Sequence, residues 1–157
     1  MGSNELLGAY LNDHLAGAAA GVELAEKLAA GGEGTPFGTA LAAVAREVKE
    51  DKDVLEGLVE RLGVGKSPVK QAAGWAFEKV TRLRFNRQLT GSEDLTRLLE
   101  VETLSLGIEG KLALWRALRA AAGLGEAELD RLIARARQQR ETLEPHRLAA
   151  AAGAFSS

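Results

Sequence analysis

The chain has 157 residues, the size of one domain, and is 46% apolar and 27% charged, the mix of an ordinary soluble globular protein. A formal net charge of −2 argues against a protein that grips nucleic acid or an anionic membrane through its overall field. The absence of cysteine excludes disulfides, thiolate metal sites, iron–sulfur clusters and cysteine nucleophiles. With no apolar run of about 18 residues and no signal-peptide pattern, the expected setting is the cytoplasm.

In chain order, the punctuation predicts five helices. Helix A covers residues 4–30 and offers Leu7, Leu11, His14, Ala18, Val22, Ala25 and Leu28 on one face. Gly31-Gly32 closes it, and Thr35-Pro36 opens helix B over 36–62 as an N-cap followed by Pro at N1, where the missing N–H is harmless. Helix B has the clearest period, with Phe37, Leu41, Val44, Val48, Asp51, Leu55, Leu58 and Leu62 spaced by threes and fours. After Gly63-Val64-Gly65, Ser67-Pro68 opens helix C over 67–89, with Val69, Ala73, Ala76, Phe77, Val80 and Leu83. Ser92-Glu93-Asp94 opens helix D over 92–122, its acids favoured by the helix dipole.

Helix D carries two stripes. One is Leu95, Leu99, Glu102, Leu106, Glu109 and Ala113; the other is Val101, Leu104, Ile108, Trp115 and Leu118. That predicts a helix packed on both sides. Helix E, over 126–152, offers Leu129, Leu132, Ile133, Ala136, Arg140, Leu143 and Arg147, with a kink or break expected at Pro145 and a frayed tail over 149–157. Nothing divides the chain, so residues 1–157 read as a single helical-bundle domain.

A helix of about 22 residues spans about 33 Å, so helix C can carry the chain from one end of a bundle back to the other. An antiparallel pair, a full-length crossover and a second antiparallel pair give an all-α ferritin-like four-helix bundle. On this architecture the chain resembles the ferritin-like superfamily over nearly its whole length. The resemblance implies metal held in the bundle core by a Glu from each of two helices and a Glu-x-x-His from each of the other two. It also implies a homo-oligomer, a dimer along helix pairs. The two histidines, His14 and His146, are each preceded at three residues by Leu, so the Glu-x-x-His motif is absent and the usual di-iron centre cannot be carried over.

Polar residues interrupt the seams. Stacking the helices by level places His14, Asp51, Glu109 and Arg140 in one layer, one from each long helix. A second pair, Glu102 and Arg147, lies about two turns away with His146 beside it. Buried titratable groups must be paired. One reading is a structural network in which Arg140 bridges Asp51 and Glu109 and His14 closes the ring. The other is a metal site for iron, manganese or zinc built from His14, Asp51, Glu109 and Glu102.

Other features read as ordinary. Glu47-x-x-Glu50, Glu50-x-x-Asp53 and Glu141-x-x-Glu144 have the spacing of solvated helix faces. Lys79, Arg82, Arg84 and Arg87 around Phe85 form a basic patch, more a solvated face than a nucleic-acid surface at this net charge. Trp75, Phe77 and Trp115 are core candidates before they are walls of a ligand slot. Three functions follow. The leading one is a structural or interaction module with a protein partner or a second copy. The alternatives are a metalloprotein with a His/carboxylate site doing redox or hydrolytic chemistry, and a small-ligand carrier.

Overall fold

In a computed structural model, residues 2–65, 91–121 and 125–156 are described, and among them the structure is entirely helical. Four helices appear: α1 (Ser3–Gly31), α2 (Pro36–Arg61), α3 (Glu93–Ala120) and α4 (Glu126–Phe155). They correspond to predicted helices A, B, D and E. Predicted helix C, with Trp75, Phe77 and the basic patch, lies outside the described residues.

The expected caps set the phase of the helices. Thr35 Oγ1 accepts from Gly38 N at 3.1 Å at the start of α2, and Ser92 Oγ accepts from Leu95 N at 3.2 Å at the start of α3. With α2 phased in this way, Phe37, Leu41, Val44, Val48, Asp51, Leu55 and Leu58 all face inward. The corner before it is tight: a Cβ on Gly38 would lie 1.9 Å from Gly32 O, so only glycine fits there.

α4 is not interrupted at Pro145: the helix continues through it to Phe155, so residues 149–155 are helical. Leu143 and Ala150 are buried on either side of Pro145, and Gly153 passes so close to the Asp94 side chain that a Cβ would meet it at 2.6 Å. Packing therefore holds the Ala-rich end in place. The two-sided packing of helix D also fails among the described residues. Val101, Leu104, Ile108, Trp115 and Leu118 are buried, but Leu106 is 69% exposed and Ala113 is exposed.

The helices pack as two hairpins, α1 with α2 and α3 with α4, and α1 lies beside α3 while α2 lies beside α4. Lys27 near the end of α1 pairs with Glu100 near the start of α3, so these two are antiparallel. The Arg97 guanidinium lies 4.6 Å from the centre of the Phe37 ring, which puts the starts of α2 and α3 at the same end. These two run parallel across the bundle diagonal. At the opposite end, Val64 packs on Gly8, and Asn12 Nδ2 donates to Gly65 O at 2.9 Å. The apolar core falls into two clusters. One holds Leu28, Leu41, Leu104 and Leu143; the other holds Leu11, Leu55, Trp115 and Leu132.

Candidate functional site

Between the two clusters the seam of α2 places a charge. Asp51 follows Val48 of one cluster and precedes Leu55 of the other, and it is only 1% exposed. Three donors converge on it. Lys111 Nζ of α3 lies 2.5 Å from Oδ2, Arg135 Nη2 of α4 donates to Oδ1, and Gln139 Nε2 of α4 lies 3.2 Å from Oδ2. The Lys111 and Arg135 side chains are 12% and 15% exposed.

The surrounding contacts complete the network. Lys111 also donates to Gln139 Oε1 at 2.6 Å, and Gln139 Nε2 donates to Glu47 Oε2 at 3.1 Å. The Gln139 amide thus turns its oxygen to the ammonium and its NH2 to the two carboxylates, matching each end to the charge it faces. Arg135 Nη1 reaches outward to Glu50 Oε2 at 2.9 Å. Arg135 Nε is buried and finds no acceptor among the described residues. Burial pushes the Lys111 amine below the usual lysine value; Asp51 and Glu47 oppose that push, and Arg135 adds to it.

This arrangement corrects the sequence-based layer. Asp51 is central, but Glu109 and Arg140 are not beside it. They pair with each other at 2.5 Å on the outer edge of the α3–α4 hairpin, each 45% exposed. His14 is half-buried on α1, its ring edge-to-face with Tyr10 at 4.7 Å, and it joins none of these groups. Its burial lowers its pKa and Asp13 opposes the shift. Arg147 Nη1 lies 3.1 Å from Glu102 Oε1 and also holds Glu144 at 2.7 Å. His146 turns to the Phe37 ring, 5.5 Å between centres. The expected ligand set of His14, Asp51, Glu109 and Glu102 therefore does not converge, because three of the four are engaged with cations and the fourth faces a tyrosine. Among the described residues no three of His, Asp and Glu are placed to hold a metal ion.

Lys111, Arg135 and Gln139 are the members of the layer that sequence spacing does not single out. The stripe Leu104, Ile108, Trp115, Leu118 steps by four, seven and three. Lys111 is the missing rung of that ladder. On α4 the buried positions are Leu129, Leu132, Ala136, Gln139, Leu143 and Ala150. The step from Ala136 is three, to Gln139, rather than the expected four, to Arg140. Glu47 and Glu50, expected on a solvated face, form the rim of the network.

Chemically, the layer is a closed ion-pair array. Among the described residues it has no open coordination position and holds no nucleophile beside a general base. A depression of about 380 Å³ lies apart from the layer, between α2 and α4, walled by Val54, Leu58, Leu62, Leu129 and Leu132. No helix among the described residues is long and apolar enough to cross a membrane. Comparison with protein-family models, with curated proteins and with solved structures finds no match to this chain.

Proposed function

We propose that this protein is a divergent ferritin-like bundle acting in the cytoplasm as a structural or interaction module, with an ionic layer at its centre in place of a metal pair. One observation carries the reading: the buried Asp51 carboxylate is already neutralised by two cations of the chain itself, Lys111 and Arg135. A metal bound there would have to displace an ammonium and a guanidinium that are themselves largely buried. The layer then works as a register device. It charges the one level where four otherwise similar apolar seams could slide, as buried polar groups do in other helical assemblies.

The ferritin-like connection belongs to the same proposal. Gly65 and Gly91 stand at opposite ends of the bundle, and α2 and α3 run in the same direction. This supports the fifth, crossover helix expected over residues 67–89. The module is expected to work as a homo-oligomer, a dimer, or with a protein partner.

The test is elemental analysis of protein purified without a metal-affinity step, before and after loading with iron, manganese and zinc, alongside melting with and without chelator. No bound metal and a chelator-independent melting temperature are expected. About one equivalent of metal, lost in Asp51→Ala, would replace this reading with a metalloprotein. Light scattering on the eluting protein reads the oligomeric state.

A further inference from the structure

The outermost face of α3 has the wrong chemistry for a solvated helix. Leu99, Thr103, Leu106, Gly110, Ala113 and Ala117 recur by fours and threes, the spacing of a heptad seam. At about 100° per residue they point away from the buried Val101, Leu104, Ile108 and Trp115. Not one of the six is charged, although this is the face where a bundle helix ordinarily carries its charge. Leu99, Thr103 and Gly110 are half-buried, Ala113 and Ala117 are exposed, and Leu106 is 69% exposed. A Cβ added at Gly107 or Gly110 would meet nothing within 4 Å, so no neighbour among the described residues requires glycine at either position.

The order of the six side chains points to the occupant. The bulkier ones, Leu99, Thr103 and Leu106, fill the first half of the seam, and the small Gly110, Ala113 and Ala117 fill the second. We propose that a second copy of this chain packs on the seam, its α3 antiparallel to the first about a twofold axis at the level of Ile108. The inference rests on the homo-oligomer reading above and names its surface. In this register Leu99 meets the partner's Ala117, Thr103 meets the partner's Ala113 and Leu106 meets the partner's Gly110, and the twofold repeats each pair. Every layer sets a larger side chain against a small one, so the two helices stay close along the whole seam. A parallel pair would stack Leu99 on the partner's Leu99 and Gly110 on the partner's Gly110, and would gape at the small end.

The charges beside the seam are complementary in the same register. One flank carries Glu102, Glu109 and Arg116 at heptad spacing. In an antiparallel pair this flank faces its own copy, so Glu102 meets the partner's Arg116 and Arg116 meets the partner's Glu102. Arg116 is exposed and makes no ion pair among the described residues, while Glu102, with its side chain 40% exposed, gives one oxygen to Arg147. Glu109 meets the partner's Glu109 near the axis, where Arg140 at 2.5 Å already neutralises each. The other flank carries Glu100, Gly107 and Leu114; Glu100 is engaged by Lys27, and Gly107 faces the partner's Gly107 near the axis. In a parallel pair the two flanks would face each other, and Arg116 would meet the partner's Ala121 instead of a carboxylate. From Leu99 to Ala117 the seam is about 27 Å long. One helix face of that length falls below the roughly 800 Å² per partner of a standard interface, so the dimer forms as protein concentration rises.

Sedimentation equilibrium of the full chain up to about 1 mM, the range of weak complexes, should show monomer passing to dimer. Leu106→Glu should stay monomeric throughout and keep the melting temperature of the dilute parent, since that side chain is exposed. Arg116→Glu should weaken the dimer roughly tenfold at low salt, the worth of two exposed ion pairs, and less at high salt. The chain has no cysteine, so one spin label per chain reads the direction of packing. Labels at Glu109→Cys should lie under about 20 Å apart, on helices with axes about 8–10 Å apart. Labels at Ala120→Cys should lie about 36 Å apart or more. Short distances at both positions would mean a parallel pair and overturn the proposal. A dimer that Leu106→Glu leaves intact would put the contact on another face, overturning this inference while the homo-oligomer reading stands. A monomer at every concentration would overturn both, and a label at Leu106→Cys held immobile in that monomer would assign the seam to another part of the same chain.

Discussion

Replacing Asp51 by Asn keeps the shape of the buried side chain and removes its charge. Lys111 and Arg135 then sit side by side without the carboxylate that neutralises both, and neither side chain is more than 15% exposed. Removing one partner of a buried ion pair typically costs about 3–5 kcal/mol. For a domain of this size each kcal/mol lowers the melting temperature by roughly 2–4 °C, so Asp51→Asn should lower it by about 6–20 °C. Urea titration should show the midpoint falling at constant m-value, the mark of lost stability rather than a changed denatured state. The loss should persist in high salt, because a largely buried array is screened much less than a surface pair. A loss below about 1 kcal/mol, the worth of an exposed ion pair, or one that vanishes in salt, would refute the reasoning that the layer is buried and mutually dependent.

Four further outcomes follow from the same geometry. Replacing the whole layer at once, Asp51→Leu/Lys111→Met/Arg135→Met/Gln139→Leu, should leave the melting temperature unchanged or raise it, since well-packed apolar substitutes often match or exceed a buried ionic array; calorimetry reads this. Glu109→Ala should change the urea midpoint by less than about 1 kcal/mol equivalent, because its pair with Arg140 is exposed. The Lys111 amine titrates below the 10.5 of a free lysine, so between its own pKa and that value the unfolded chain binds more protons, and this group's contribution to stability rises with pH. Urea midpoints measured up to that pH should show the rise in the parent and not in Lys111→Met. His14 is likewise lowered from 6.5, so stability falls as pH drops below that value, and His14→Gln should flatten that part of the profile.

The helices are legible in the sequence because their punctuation is local. Thr35-Pro36, Ser92 and the glycine breaks act on the backbone beside them, and the α2 seam follows from spacing alone, Asp51 included. The partners of Asp51 are not legible, for a geometric reason. Spacings of three and four are both compatible with one helical face, so Gln139 and Arg140 are equal candidates until tertiary packing chooses between them. Lys111 is hidden differently. A lysine inside an apolar stripe reads as a solvated residue unless a carboxylate two helices away is known to face it. Stacking helices by level, good to about a turn, cannot separate Glu109 from Lys111, two residues apart on opposite sides of α3.

The corner between α1 and α2 has a practical consequence for anyone altering this protein. Gly38 lies so close to Gly32 O that any side chain must open the corner, and Gly32 O also accepts from Thr35 Oγ1 at 2.6 Å. Thr35 and Gly38 thus crowd around one carbonyl. Gly34, where an added Cβ would find nothing within 4 Å, projects from the same turn into open space. A graft at this turn therefore has room at Gly34 but must preserve that residue's left-handed backbone (φ +79°) and the Thr35 contacts to Gly32 O, whereas a graft three or four residues further along would pry the two helices apart.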